Sequence, residues 1–364
     1  MNETEKNSLV EAAADVDVVV VGGGIAGLSG ALTLARSRRS VLVVDSGEPR
    51  NAPASGVHGL LSRDGIAPGE LLRAGRAEVT GYGARIVSDK VVAVRRDGER
   101  FVVATAGGRS YGARRLLVTT GLVDELPDVP GLRERWGRDV LHCPYCHGWE
   151  VRDAPIGVLA DGPAAVHQAL LFRQLSPDVT LFLHTADDPG EEQWEQLAAR
   201  GISVVDGEVA ALEVGDDDRL SAVRLSSGRR VPVRALVVAP RFEARSEVLA
   251  GLGPTAVEHP MGVGSYVESD ASGFTGVAGV WVAGNVTELL GGVPAAAAAG
   301  VQAAAAINSD LVAADTDAAV ALRKEERFLD AFSPDAEAAG CERALGNRRH
   351  GLDTLLRPGR PPGR

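Results

Sequence analysis

Val18-Val19-Val20-Val21-Gly22-Gly23-Gly24-Ile25-Ala26-Gly27 is the stretch whose reading decides the fold of this chain. Four consecutive valines read as a buried strand, because β-branched side chains suit a pleated surface covered on both faces. The glycines fit G-x-G-x-x-G at Gly22, Gly24 and Gly27, and Ile25–Ser37 continues as an amphipathic helix. In that setting Gly22 makes a tight turn, Gly24 lets the backbone approach a pyrophosphate, and Gly27 lets the helix pack closely. The helix N-terminus would offer its N–H groups and the positive end of its dipole to the phosphates. A second apolar strand, Val41–Val44, runs into Asp45, 18 residues beyond Gly27. A carboxylate there can hold ribose hydroxyls and favours an adenosine with a free 2′-hydroxyl. Gly22, Gly23, Gly24, Gly27 and Gly30 interrupt the apolar stretch from Val18 to Ala35, which excludes a membrane span.

Outward from this unit, strands and helices alternate. Val91–Arg95 and Phe101–Thr105 read as a hairpin turning at Asp97-Gly98, and Leu116–Thr119 as a short strand closing on Thr120-Gly121. After Pro130 the pattern restarts with strand Ile156–Leu159, helix Ala164–Leu175 and strand Val179–His184. A hairpin of Ala210–Val214 with Ala222–Leu225 follows, then strand Ala235–Val238. This is an internal repeat of one plan. A third segment, Val280–Ala306, has a strand, a Gly-Asn turn and an Ala-rich helix but no copy of its own, so it would complete the first domain after an insertion. The expected fold is α/β, with two Rossmann-like (three-layer ββα) dinucleotide-binding domains, the second inserted into the first. Residues 16–125 plus 247–314 form the first domain and 126–246 the insert. Residues 315–364 form a tail with a helix near Ala318–Ala331 and a disordered, Pro-rich end.

The second copy's turn, Ala160-Asp161-Gly162-Pro163-Ala164-Ala165, has lost its first glycine and carries a carboxylate where a phosphate would lie. Its second strand runs into His184-Thr185-Ala186-Asp187-Asp188, two acids where an NADPH site wants arginines. Together these oppose a nucleotide phosphate. The insert therefore reads as a domain kept for its fold, with unorthodox NAD(P)H binding as the alternative.

His142-Cys143-Pro144-Tyr145-Cys146-His147-Gly148-Trp149-Glu150 lies just ahead of this second copy. Two cysteines three apart at a helix start can close a small, exchangeable disulfide, and the helix terminus and flanking histidines favour thiolate. A zinc site needs four ligands. His142 and His147 are too local to complete one, and the third cysteine, Cys341, lies in the tail, so no metal is expected. His147 is the candidate acid/base of the pair, with helix capping as its plain structural alternative.

Glycine fingerprint, inserted second domain, Cys-x-x-Cys ahead of it and Gly276–Val286 (GVAGVWVAGNV) together resemble the low-molecular-weight thioredoxin reductases over about residues 16–314. Within that superfamily the CPYCHGWE block and the decayed second turn look closest to the dithiol oxidases of gliotoxin and holomycin type. The resemblance implies FAD, held by Gly22, Gly24, Gly27 and Asp45, with Thr120 and Gly121 supplying a second turn. Gly284 and Asn285 would approach the ribityl chain, where the family carries Gly-Asp, and the helix from about Ala295 would aim its N-terminus at the flavin ring. Cys146 would sit nearest the flavin and Cys143 would exchange with the substrate sulfur. Arg50, Asn51 and His58 to Asp64 (HGLLSRD) fall where the family wraps the flavin, and are assigned to flavin or substrate contact. Two departures stand out: His147 replaces an acid, and the NADPH motifs are missing.

The expected function is an FAD-dependent thiol-disulfide oxidoreductase that oxidises a small-molecule or peptide dithiol, with oxygen as acceptor. An NADPH-dependent thioredoxin-disulfide reductase, with a thioredoxin-like protein as partner, is the alternative; a ferredoxin-driven enzyme and a non-catalytic redox sensor are further readings. A homodimer is implied by resemblance. The net charge of −11, from 38 Lys+Arg against 49 Asp+Glu, argues against nucleic acid or an anionic membrane as partner. Met1–Asp17 lacks the basic-then-apolar layout of a signal peptide, so a reducing cytoplasm is the expected compartment.

Overall fold

The computed structural model describes residues 15–162, 164–331 and 333–345. The chain divides into two compact units, with the boundary after Asn308. In the larger unit the valine strand, Val16–Val21, lies between parallel neighbours Val41–Asp45 and Ser110–Val118. Val18, Val19 and Val20 are inaccessible to solvent, which is why the run shows no polar alternation. The full sheet has seven strands. Arg85–Ser88 extends it beyond Val41–Asp45, and on the other side Ser110–Val118 turns back through Arg100–Thr105 and Val91–Asp97. Val280–Val282, 162 residues further along from Val118, pairs in parallel with that same strand. Helix Ile25–Arg36 is crossed at close range by the start of helix Val293–Ala331: a Cβ on Gly300 would lie 2.1 Å from the Ala26 carbonyl oxygen.

A second, all-parallel sheet orders its strands Ser203–Val205, Val179–Phe182, Ile156–Leu159, Ala235–Val237 and Val140–Leu141. Beside it lies an antiparallel sheet of Val209–Val214, Leu220–Leu225 and Arg230–Pro232. The plan of the first sheet is thus repeated. Strand Leu122–Glu125 leaves the first sheet and Arg241–Ala244 leaves the second, and the two pair antiparallel with Phe242 opposite Asp124. Both chain crossings therefore run side by side. The Thr120 hydroxyl fastens them by donating to the Arg245 carbonyl at 2.6 Å, and Arg245 N–H returns a bond to Gly121 O at 3.0 Å.

Elements the sequence pattern did not mark complete the βαβ units: helices Pro68–Gly81 and Glu191–Ala199, and strands Arg85–Ser88 and Ser203–Val205. The separate helix expected near 318–331 is the end of the unbroken helix Val293–Ala331, and a further helix, Pro334–Leu345, carries Cys341. The Pro-rich end lies outside the described residues. No helix among the described residues is long and apolar enough to cross a membrane.

Candidate active site

The glycine turn is built by close backbone approach. Gly22 has φ +102°, and a Cβ on Gly27 would lie 2.0 Å from the Gly22 carbonyl oxygen, so neither position accepts a side chain. The buried Thr119 hydroxyl, 3.0 and 2.9 Å from the carbonyl oxygens of Val21 and Gly22, donates into the turn from the neighbouring strand. At Gly24 the situation reverses: a Cβ there would meet nothing within 4 Å. The helix that starts at Ile25 has no side-chain cap and no acid in its first turn. An open space faced by uncapped helix N–H groups fits a diphosphate.

Asp45 sits at the lip of this cradle. Its carboxylate accepts the Gly23 N–H at 2.9 Å and pairs with Arg76 of helix Pro68–Gly81. Gly121 has φ +72° and open space beside it, while Gly284, at φ +77°, lies against Ala26 at the start of the first helix. The Asn285 amide donates to the carbonyl oxygens of Glu288 and Gly291 at 2.8 and 2.9 Å. A carboxylate could not donate to either, which gives a physical reason for asparagine where the family carries aspartate.

Cys143 and Cys146 are joined in a disulfide, with Cα atoms 5.3 Å apart. Cys143 caps the short helix Pro144–His147, its carbonyl accepting the Cys146 and His147 N–H groups at 3.3 and 3.2 Å. His147 Nε2 is buried with no hydrogen-bond partner. Burial holds the His147 pKa below the ordinary imidazole value, with Glu150 opposing and His58 adding to the fall. His142 is pushed to about 4, first by burial and then by the nearby Arg50 charge.

Arg50 is placed beside His142. It gives Asp124 hydrogen bonds of 2.8 and 2.6 Å and lies 5.2 Å from the centre of the Phe242 ring. The His142 ring meets the other side of this cluster, edge-on to Phe242 at 5.2 Å. Asn51 lies in the turn that follows, its carbonyl accepting the Ala54 N–H at 3.0 Å. The HGLLSRD loop reaches the cysteine helix, with His58 Nε2 3.4 Å from Glu150 Oε1. Sequence reasoning missed Arg76, Asp124 and Phe242, whose parts depend on contacts distant along the chain; Thr119 was marked with the second turn, but not its bonds into the glycine turn. Glu150 was within reach, because it lies three residues after His147 on a helical path.

The second turn has a different chemistry. Ala160 is buried, and Asp161 follows at the surface; although the residue is exposed, the protein mass around its carboxyl raises the pKa to about 6. Pro163 lies outside the described residues. His184, at φ +52°, accepts the Val209 N–H on Nδ1 at 3.0 Å, so that nitrogen is committed to the fold. Asp188 accepts the Trp194 indole N–H at 3.3 Å, and the next helix opens with Glu191 and Glu192.

Residues 16–304 match the family model described as pyridine nucleotide-disulphide oxidoreductase. The chain belongs to this family. It is 32% identical over 312 residues to thioredoxin reductase tcpT of Claviceps purpurea (strain 20.1), covering 82% of this chain and 95% of that one. The crystal structure of HlmI is similar at TM-score 0.79 and 47% identity, covering 88% of this chain and 98% of that one. An oxidoreductase from Agrobacterium tumefaciens follows at TM-score 0.77 and 36% identity, covering 82% and 99%. This pyridine nucleotide-disulphide oxidoreductase is a flavin-dependent enzyme acting on sulfur groups, and its cofactor is FAD. The open, uncapped glycine cradle fits that cofactor's diphosphate.

Proposed function

We propose that this flavoenzyme oxidises a small-molecule or peptide dithiol to a disulfide, taking electrons in at Cys143–Cys146 and passing them to oxygen. The observation that carries the reading is the second turn. A carboxyl stands where a phosphate would lie, the His184 Nδ1 is occupied by the backbone, and the adjoining sequence bears Asp187, Asp188, Glu191 and Glu192. Such acids repel the phosphates of a nicotinamide dinucleotide. The discontinuous first domain, with 126–246 as the insert that carries the cysteines, is part of the same proposal.

A substrate thiolate attacks Sγ of Cys143, the Cys143–Cys146 bond breaks, and Cys146 leaves as thiolate. The second substrate thiol attacks the mixed disulfide, closing the product disulfide and releasing Cys143. His147, neutral near pH 7 with an unpartnered Nε2, takes the proton of the attacking thiol. FAD supplies, when bound, the two-electron link between the reduced cysteine pair and oxygen. Gly22, Gly24, Gly27, Asp45, Arg50, Asn51, Thr120, Gly121, Gly284 and Asn285 are the residues proposed to hold it. The balance is one dithiol and one oxygen in, one disulfide and one hydrogen peroxide out.

The family's name and its relatives' names favour the second reading, an NADPH-dependent disulfide reductase. Oxygen uptake separates the two. With dithiothreitol as probe and no nicotinamide nucleotide, the holoenzyme is expected to consume oxygen and release peroxide in equal amounts. Uptake that requires NADPH would overturn the proposal.

A further inference from the structure

By their spacing of three and four residues, Cys143, Cys146, His147 and Glu150 lie along one face of the helical stretch that starts at Cys143. Tyr145 and Trp149 lie off that face and are 81% and 65% exposed. On the chemical face the chain of groups continues past Glu150. Glu150 Oε1 is 3.4 Å from His58 Nε2, and His58 Nδ1 is 3.4 Å from Asp64 Oδ2. Asp64 is itself fixed, accepting the Gly59 N–H at 2.9 Å, and the loop is closed below it by Val57 N–H to Ile66 O at 2.8 Å. A carboxylate–imidazole–carboxylate series therefore runs from an exposed loop of the first βαβ unit to the turn that follows His147.

Each ring nitrogen of His58 therefore faces a carboxylate oxygen, Asp64 at Nδ1 and Glu150 at Nε2. His147 differs: its buried Nε2 has no partner. The charged groups that act on His147 pull in opposite directions, Glu150 favouring its protonated form and His58 disfavouring it. Arg152 is turned away, donating to the Trp149 carbonyl at 2.8 Å and stacked on the Trp149 ring. His142, on the Arg50–Phe242 side, is neutral near pH 7, and the cysteines carry charge only after reduction.

We propose that Glu150, His58 and Asp64 form a positioning relay that sets when His147 holds a proton, and through it when the reduced cysteine pair is available as thiolate. This rests on His147 serving as the pair's proton carrier in the function proposed above. Glu150, three residues beyond His147 on the same helical path, acts on it through its charge. His58 tempers the Glu150 charge, and Asp64 orients His58 so that it can do so.

The test is the titration of His147 in the oxidised holoenzyme, followed by NMR with labelled histidine and assigned through His147→Gln. Glu150→Gln removes the charge that favours protonation, so the His147 midpoint is expected to fall. His58→Gln leaves Glu150 untempered, so the midpoint is expected to rise. Each shift should be about half a pH unit or more, the effect of one charge a few ångströms away in partly wet surroundings. Asp64→Asn keeps an acceptor for Gly59 and lies in the exposed loop, so it reads the relay without disturbing the cysteine helix; a smaller rise is expected. A loss of packing alone would not move two variants in opposite directions. No shift, or shifts of the same sign in Glu150→Gln and His58→Gln, overturns the proposal. If either of those two loses flavin, an unmoved midpoint in Asp64→Asn overturns it. The titration uses no dithiol, nicotinamide nucleotide or oxygen, so its failure is separate from a failure of the oxidase reading in oxygen uptake.

Discussion

Replacing Arg50 with alanine removes the charge at the centre of the cluster beside the cysteines. Arg50 gives Asp124 two hydrogen bonds, at 2.8 and 2.6 Å, and lies over the Phe242 ring. The Asp124 side chain is 8% exposed and that of Arg50 31%. Alanine therefore strands a carboxylate with little access to water, while solvent on the Arg50 side screens part of the loss. Breaking a fully buried pair costs about 3–5 kcal/mol, and an exposed pair contributes about 0–1 kcal/mol. This intermediate geometry places the cost at about 2 kcal/mol, or roughly 4 °C in melting temperature for a unit of this size.

The pH dependence should change with it. His142 falls from the ordinary 6.5 to about 4, through burial first and Arg50 second, with Asp124 pulling the other way. Between those values the unfolded chain binds more protons than the folded one, so stability rises with pH across that window. Without Arg50 the folded pKa climbs, the window shrinks from its acid side, and the acid loss of stability becomes shallower. Thermal melts between about pH 4 and pH 7, with a histidine NMR titration, read both effects. An unchanged melting temperature together with an unmoved His142 would refute the reasoning. Flavin content of the same variant separates two duties: retained flavin assigns Arg50 to this cluster, and lost flavin to cofactor contact.

Three further variants follow from single observations. Gly27→Ala would force a Cβ to within 2.0 Å of the Gly22 carbonyl oxygen, which backbone cannot yield cheaply; the variant is expected to purify without FAD, as its absorption spectrum would report. Asp161→Asn removes a carboxyl whose pKa is raised to about 6, so the folded wild type binds more protons than the unfolded chain between about 4 and 6. Wild-type stability should fall with rising pH across that window, and the asparagine variant should lack this slope and melt higher above it. Asn285→Asp loses the donor to Glu288 and Gly291 and sets a charge against two carbonyl oxygens. A cost of about 1–3 kcal/mol in thermal unfolding is expected, even though the substitution restores the family's usual residue.

What could be read from the sequence was whatever the chain encodes locally. The Val16–Val21 strand, the glycine turn and helix Ile25–Arg36 are contiguous and strongly patterned, so their period and turn chemistry were plain. Helix Pro68–Gly81 fully buries only Pro68 and Val79, and Glu191–Ala199 only Leu197, so neither shows an apolar stripe that periodicity can find. Strands Arg85–Ser88 and Ser203–Val205 are too short to show alternation. The crossing strands Leu122–Glu125 and Arg241–Ala244 are more than a hundred residues apart in sequence and become one feature only when they pair. At the site, Cys143, Cys146 and His147 could be found because one helical turn holds them. The partnership of Glu150 with His58 could not, since it joins two segments that no local pattern connects. Asp45 was visible at its strand end, but its pairing with Arg76 depends on a helix the pattern had missed.

Rapid anaerobic mixing of the holoenzyme, with flavin absorbance as the signal, tests the direction of electron flow most directly. A dithiol such as dithiothreitol should bleach the flavin through Cys143–Cys146, with the bleaching lost in Cys143→Ser, while NADPH leaves the absorbance unchanged over the same interval. Rapid bleaching by NADPH would contradict the account: the turn at Asp161 would then be a working nucleotide site, and the cysteine pair an outlet for electrons rather than an inlet.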